Sequence, residues 1–268
     1  MHPLLIHFGN LAIPTYGVLT AIALLSALAL AVVLAQRQGL RAEKVWNLGL
    51  IAILAALFGG RILLIATHIA VFRAHPFWLL GLATIPGRWI ALGGAAIGAG
   101  AAILYALAEG LPLAAIADAV APAVALGLAI NRIGAFCGGL AWGRPTDLPW
   151  GVTYHSVVAY LWYRVPLGVR LHPVQLYDAA CSAVILFVLL WVMRRPTLRA
   201  GEIAGAWLFL YGLCRFFVEF YRGDETPVLG GFVTLPQVLA IAAVAGGALL
   251  WLRREPRAEH AGPAVTGI

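Results

Sequence analysis

Apolar runs of about twenty residues recur along this chain, and each is long enough to cross a bilayer. They lie at 11–35, 46–71, 89–108, 112–131, 174–193, 203–221 and 232–252. Within a bilayer every backbone polar group must be satisfied internally, so runs of this length have to be helices. The expected fold class is therefore an all-α integral membrane protein. It is a seven-transmembrane-helix bundle with a long loop region between helices 4 and 5. Composition agrees, because 62% of the 268 residues are hydrophobic and 11% are charged, where soluble domains hold nearer a quarter charged residues. No soluble domain and no internal repeat is evident. The expected organisation is a single transmembrane domain over 1–254, followed by a polar, disordered tail over 255–268. Leu11 to Ala35 has no basic segment before it and is long enough to span, so it reads as a transmembrane helix rather than a cleavable signal.

Basic residues in short loops set the orientation. With the N-terminus outside, the inner segments hold Arg37, Arg41, Lys44, Arg194, Arg195, Arg199, Arg253, Arg254 and Arg257. The short outer segments hold only Arg73, Arg88 and Arg222. The bias predicts an outer N-terminus and a cytoplasmic C-terminus. Segment 132–173 then lies outside, and a connection this long in a compact bundle is usually functional. Its Trp142, Trp150, Trp162, Tyr154, Tyr160 and Tyr163 suit a membrane interface.

Against this background a few charges stand out. Arg215 and Glu219 fall inside "AWLFLYGLCRFFVEFYRGDE", and a charge near mid-bilayer costs at least ~2.5–3.5 kcal/mol on insertion scales. Their i, i+4 spacing places both on one helical face, with Arg222 following at i+7 on the same stripe. Arg132 sits in "AINRIGAFCGGLAWGRPTD", where the fourth helix is expected to meet the long loop, and Arg144 follows. Arg61 lies within the second span. One isolated arginine would read as an interfacial side chain that sets helix depth. Arg61, Arg132, Arg215 and Arg222 together read as a site, since ionisable residues inside a membrane default to function.

Other residues admit plainer readings. Glu219 is more often an ion-pair partner than a base. Asp118 is either a partner for a basic residue or a polar anchor near the cytoplasmic end of its helix. His172 opens "HPVQLYDA" before the fifth helix, as an interfacial polar residue or a proton acceptor. Tyr16 is an interface residue by position. Gly94 and Gly98 form a small-xxx-small pattern for close helix approach. Pro112, Pro122 and Pro236 are candidate kink positions. Cys137, Cys181 and Cys214 form neither a metal pattern nor a disulfide framework. No metal or cofactor is expected. The basic excess, 18 against 11 acidic residues, serves topology and anionic lipid headgroups rather than nucleic acid. Several guanidinium groups without a nucleophile triad or phosphate loop point to recognition of an anion, most simply a phospholipid headgroup held by arginine forks.

The ordered motifs carry a resemblance. "HPLLIHFGNLAIPTYGVL" at the N-terminus, "GGRI" at 59–62, "DAVAPAVALGLAINRIGAF…GLAWGRPTD" over 118–147, "HPVQLYDA" at 172–179 and "GLCRFFVEFYRGDE" at 212–225 together resemble the phosphatidylglycerol–prolipoprotein diacylglyceryl transferase family. The resemblance implies seven helices in the bacterial inner membrane with a periplasmic N-terminus. It implies transfer of the diacylglyceryl group from phosphatidylglycerol to the lipobox cysteine thiol of a prolipoprotein signal peptide. A thioether forms and glycerol phosphate leaves. Phosphatidylglycerol, the prolipoprotein signal peptide and membrane lipids are the implied partners. Carried over residue by residue, the family's catalytic positions fall on Arg132, Arg215, Glu219 and His172. Tyr16, Arg61, Gly143, Arg144 and Arg222 are the expected substrate-binding residues.

Two positions depart from the family pattern. A His usually precedes the third-helix glycine pair, and Leu92 stands there; an Asn usually follows the loop arginine by three residues, and Ala135 stands there. Neither side chain can hydrogen-bond. His172 and Glu219 are then the candidate bases. These departures keep open a protein that binds anionic headgroups without the transfer reaction. A transporter is the third reading, against which stands the lack of an internal repeat.

Overall fold

In the computed structural model, residues 2–8, 11–74, 88–195, 197–224 and 233–252 are described. The chain opens with an antiparallel hairpin of β1 (Leu4–Phe8) and β2 (Leu11–Pro14), paired Ile6 to Ile13 and Phe8 to Leu11 with an irregularity between Leu4 and Ile6. Helix α1 (Thr15–Arg37) follows directly, with extended Pro14 at its cap. The hairpin explains why the first helix starts at Thr15 and not at residue 11. The Thr15 hydroxyl donates to the His2 carbonyl and the Thr15 amide to that of Pro3, closing the hairpin onto the helix start.

Helices α2 (Ala42–Thr67), the short α3 (Ile69–Ala74), α4 (Arg88–Ala108) and α5 (Leu113–Gly138) come next. After α5 a compact segment holds β3 (Val152–Thr153), α6 (Val157–Tyr163) and β4 (Arg170–Leu171), with β3 and β4 antiparallel. The chain then forms α7 (Val174–Val192), α8 (Glu202–Glu219) and α9 (Leu235–Leu252). Among the described residues, six helices are long and apolar enough to cross a membrane: α1, α2, α4, α5, α7 and α9. Helix α8 matches α9 in length but carries Glu202, Arg215 and Glu219. The protein is thus a mostly helical multi-pass membrane protein, with two two-stranded antiparallel sheets among the described residues. The expected tail over 255–268 lies outside the described residues.

The helices pair chiefly as α1 with α5, α2 with α4, and α8 with α9. Without a strong hydrophobic drive between helices in lipid, small residues that admit close backbone approach supply the packing. A Cβ on Gly98 would lie 2.6 Å from the Ala52 carbonyl oxygen, and one on Gly94 2.8 Å from that of Ala56. The expected small-xxx-small contact is therefore the α2–α4 seam. Helices α5, α7 and α8 share a buried cluster that includes Ala125, Ile185, Leu189 and Ile203.

Three expectations change. Helix α5 runs through Gly138, so Arg132 lies within the helix and not at its junction with the loop. Its glycines do not break it, because they face side chains of α1: Gly134 meets Leu19, and Gly138 meets Tyr16. Among the described residues Asp118 pairs with no basic side chain, and it does more than anchor its own helix. Its two carboxylate oxygens accept from the Gly201 amide at 2.7 Å and the Ala204 amide at 2.9 Å, capping the start of α8 from a neighbouring helix. Asp118→Ala leaves those buried donors unmet, and we expect a loss of about 1–3 kcal/mol. The check is thermal unfolding in detergent with Asp118→Asn as control; an unchanged midpoint for the alanine variant would count against the cap. Third, Tyr154 is not an interface side chain. It is 2% exposed and forms a small core with Ala159, Val165 and Leu171. Burial pushes its phenol above the ordinary tyrosine range. It donates to the Phe136 carbonyl at the end of α5. Trp150, Tyr160 and Trp162 do remain exposed.

Candidate functional site

One end of the bundle gathers the start of α1, the end of α5, the start of α7, the end of α8 and the start of α9. A cavity of about 690 Å³ opens there, lined among others by Tyr16, Asn131, Arg132, Arg215, Arg222 and Asp224. Three arginines thus converge from α5, from α8 and from the chain just beyond α8.

Each arginine is held by carboxylates. Asp178, in the first turns of α7, bridges two helices: its Oδ2 lies 3.2 Å from Arg132 Nε and 3.6 Å from Arg215 Nη1. Glu219 Oε2 lies 2.6 Å from Arg215 Nη2, one helical turn away on α8, and 3.8 Å from Arg222 Nε. Its other oxygen accepts from the Thr234 hydroxyl at 2.9 Å. Asp224 takes Arg222 bidentately, at 2.9 Å and 2.7 Å. The group is near charge balance, with Arg132, Arg215 and Arg222 set against Asp178, Glu219 and Asp224. The carboxylates do not exhaust it, because a guanidinium carries five donors. Arg132 Nε meets Asp178, and Arg132 lines the cavity. Arg215 Nη1 is buried without a hydrogen-bond partner among the described residues.

Arg222 is not on the α8 stripe. The helix ends at Glu219, and the chain turns so that Arg222 forms a bridge with Gly143. The Arg144 amide donates to the Tyr221 carbonyl at 2.8 Å, and the Gly223 amide to that of Trp142 at 3.0 Å. The Arg144 guanidinium also donates to the Arg222 carbonyl at 3.0 Å. These bonds latch the segment after α5 onto the end of α8. Gly143 sits where the chain passes His172: a Cβ there would collide with the His172 carbonyl and lie 2.8 Å from its Cβ. Only glycine allows this approach.

The sequence-predicted residues therefore divide. Tyr16, Arg132, Arg215 and Arg222 line the cavity. Glu219 stands behind the arginines with its side chain wholly enclosed. Gly143 and Arg144 belong to the latch. His172 packs against it outside the cavity lining, 3.3 Å by Nδ1 from the Tyr177 hydroxyl, with its ring 5.0 Å from that of Tyr221. Arg61 is elsewhere on α2, its guanidinium 5.3 Å over the Phe72 ring. Leu92 and Ala135, where the motif pattern expects His and Asn, both face the cavity. Among the described residues the wall's titratable side chains are Tyr16, Tyr211, Asp224 and the arginines.

Sequence reasoning missed Asp178, Asp224 and Asn131. Asp178 was visible as a charge inside an apolar run, but its partners lie on two other helices. Asn131 precedes Arg132, and its Nδ2 donates to the Thr20 hydroxyl at 2.9 Å.

Arginines that converge on a cavity opening among apolar helices suit an anionic lipid headgroup, and comparison with known proteins points the same way. The chain matches the family model for prolipoprotein diacylglyceryl transferase over residues 3–253. It is 31% identical over 226 residues to the phosphatidylglycerol–prolipoprotein diacylglyceryl transferase of Clostridium tetani, covering 84% of this chain and 86% of that one. The protein of that name from Vibrio vulnificus is 32% identical over 257 residues, covering 92% and 89%. That of Vibrio cholerae is 33% identical over the same length and shares. The match spans the hairpin, every long helix and all the arginines of the cavity, so this chain belongs to the prolipoprotein diacylglyceryl transferase family.

Proposed function

We propose that this protein transfers the diacylglyceryl group of phosphatidylglycerol to the lipobox cysteine of a prolipoprotein signal peptide. The observation that carries the reading is the convergence of Arg132, Arg215 and Arg222 on one cavity, with Asp178 orienting the first two. The lipid phosphate accepts from Arg132 and from Arg215. The substrate's thiol sulfur attacks the terminal carbon of the diacylglyceryl group. A C–S bond forms, the C–O bond to phosphate breaks, and glycerol phosphate leaves with the bonding pair. Preset donors stabilise the charge that grows on the leaving phosphate. The same guanidinium donors, close to the sulfur, favour the thiolate over the thiol, whose ordinary pKa is near ~8.5. The thiol proton is taken up by the leaving glycerol phosphate, whose freed oxygen gains the negative charge. Gly143 and Arg144 hold the loop, and Glu219 holds Arg215. His172 and Arg61 act from outside the cavity, as contacts to peptide or lipid.

The same reading gives the molecule its setting. Helix α8 is the seventh span, its charges tolerated because they face protein and cavity instead of lipid. The segment between α5 and α7 is periplasmic with the N-terminus, the C-terminus is cytoplasmic, and the membrane is the bacterial inner membrane. Residues 1–254 form one transmembrane domain, with 255–268 as its tail.

The test is purified full-length protein given phosphatidylglycerol and a lipobox peptide. We expect thioether-linked diacylglyceryl peptide. No product, with no rescue of cells lacking other transferase copies, sinks the reading. Lipid binding without turnover, unrestored by Leu92→His with Ala135→Asn, would leave a headgroup-binding protein on this scaffold.

A further inference from the structure

We infer that Asn131 is the residue that reads the glycerol hydroxyls of the lipid headgroup, and so selects a hydroxyl-bearing phosphodiester over other anionic lipids. The inference rests on the transfer reading for the lipid's role, and on Asn131 itself for the selectivity.

Three guanidinium groups on the cavity wall are donors suited to phosphate oxygens, beside the Tyr16 and Tyr211 hydroxyls and Asp224. Asn131 differs. Its side-chain nitrogen is tied to Thr20 Oγ1 at 2.9 Å, and the Thr20 hydroxyl is spent on the Tyr16 carbonyl at 2.7 Å. This relay fixes the carboxamide plane across the α1–α5 seam. It leaves Oδ1 with no partner among the described residues, yet not sealed from the cavity. The site thus presents one oriented neutral carbonyl acceptor beside three guanidinium groups. The carboxylate on the same wall, Asp224, has both oxygens committed to Arg222.

An amide oxygen has nothing to offer a phosphate, which is itself an acceptor. It matches an O–H donor next to the phosphate. A glycerol phosphodiester supplies one: its phosphate oxygens face Arg132 and its hydroxyls reach the neighbouring side chain on α5. An ethyl phosphodiester keeps the charge and loses the hydroxyl, leaving the Asn131 oxygen unmet. Sites built to bond a substrate hydroxyl discriminate against analogues that lack it. A headgroup amine also donates, but its positive charge faces three guanidinium groups.

The experiment compares phosphatidylglycerol with phosphatidylethanol of the same acyl chains, by equilibrium binding to the full-length protein in detergent and by turnover with a lipobox peptide. The wild type is expected to favour phosphatidylglycerol about tenfold in both, the range of one well-made hydrogen bond. In Asn131→Ala the ratio should fall to within about twofold through a selective loss on phosphatidylglycerol. Thr20→Val, which frees the amide without touching the cavity wall, should lower the ratio part of the way. The inference is overturned if the wild type binds both lipids alike, if Asn131→Ala keeps the wild-type ratio, or if it loses both lipids in equal measure. Should Asn131→Ala fail to fold, Thr20→Val decides, and an unchanged ratio there overturns the inference as well. A wild type that binds selectively without turnover would sink the transfer reading and leave this one standing.

Discussion

Arg132→Ala is expected to lower transfer by about 10²–10³-fold, the range seen when one preset donor to developing charge is removed, while the protein still inserts and unfolds near the wild-type midpoint. The asymmetry between activity and stability follows from the ion pairs. Arg132 contacts one carboxylate, Asp178, which keeps Arg215 as a neighbour when Arg132 is gone. Arg215 is different. Its loss leaves Glu219, with an enclosed side chain, to Arg222 at 3.8 Å and the Thr234 hydroxyl. Breaking a buried pair from one side costs about 3–5 kcal/mol, because a charge stays behind without its partner. Arg215→Ala should therefore lose both transfer and thermal stability, and Arg215→Ala with Glu219→Gln should recover part of the stability but none of the transfer. The measurements are product formation with a lipobox peptide and thermal unfolding in detergent. Arg132→Ala turnover within about threefold of wild type would remove that arginine from the chemistry.

How far the sequence discloses this site depends on how local each contact is. The Arg215–Glu219 pair is legible because i, i+4 spacing on a helix brings side chains together whatever surrounds them. The spans are legible for the same reason: length and apolarity belong to a single segment. Arg222 misleads because periodicity extends the helix past Glu219, whereas the backbone turns there to pair with Gly143 on a distant segment. Arg132 is misplaced because four glycines after it read as a loop signal, and only the side chains of α1 make two of those glycines good helix residues. Asp118 and Asp178 show the limit most clearly. Each is one carboxylate in an apolar run, and the sequence offers no way to tell the cap of another helix from the tie between two arginines. Arg132 and Arg215 group as one site because both are charges in apolar runs, and the family resemblance assigns both to catalysis; spacing does not bring them together. The departures at Leu92 and Ala135 are legible in the motifs, but that both lie on the cavity wall is not.

Asp178 is where the second large effect is expected. Asp178→Ala removes the oxygen that lies between Arg132 and Arg215. Two guanidinium groups drawn toward one carboxylate then repel each other across a partly buried space. They also lose the contact that sets their angle to the cavity. Misplacement by about 1 Å is enough to cost on the order of 10²-fold in rate, and we expect a loss of that size in kcat. Binding of phosphatidylglycerol should weaken much less, since both cations remain and the anion itself takes over part of the bridging. Asp178→Glu keeps the charge but lengthens the arm, and should recover part of the rate. Asp178→Asn keeps the shape without the charge and should recover little. A merely structural carboxylate would give another pattern: the alanine variant would lose stability and lipid binding together, and the glutamate variant would rescue neither rate nor affinity apart from the midpoint. The split between kcat and lipid affinity across the three variants therefore separates a residue that aims the arginines from one that only holds α7 against α8.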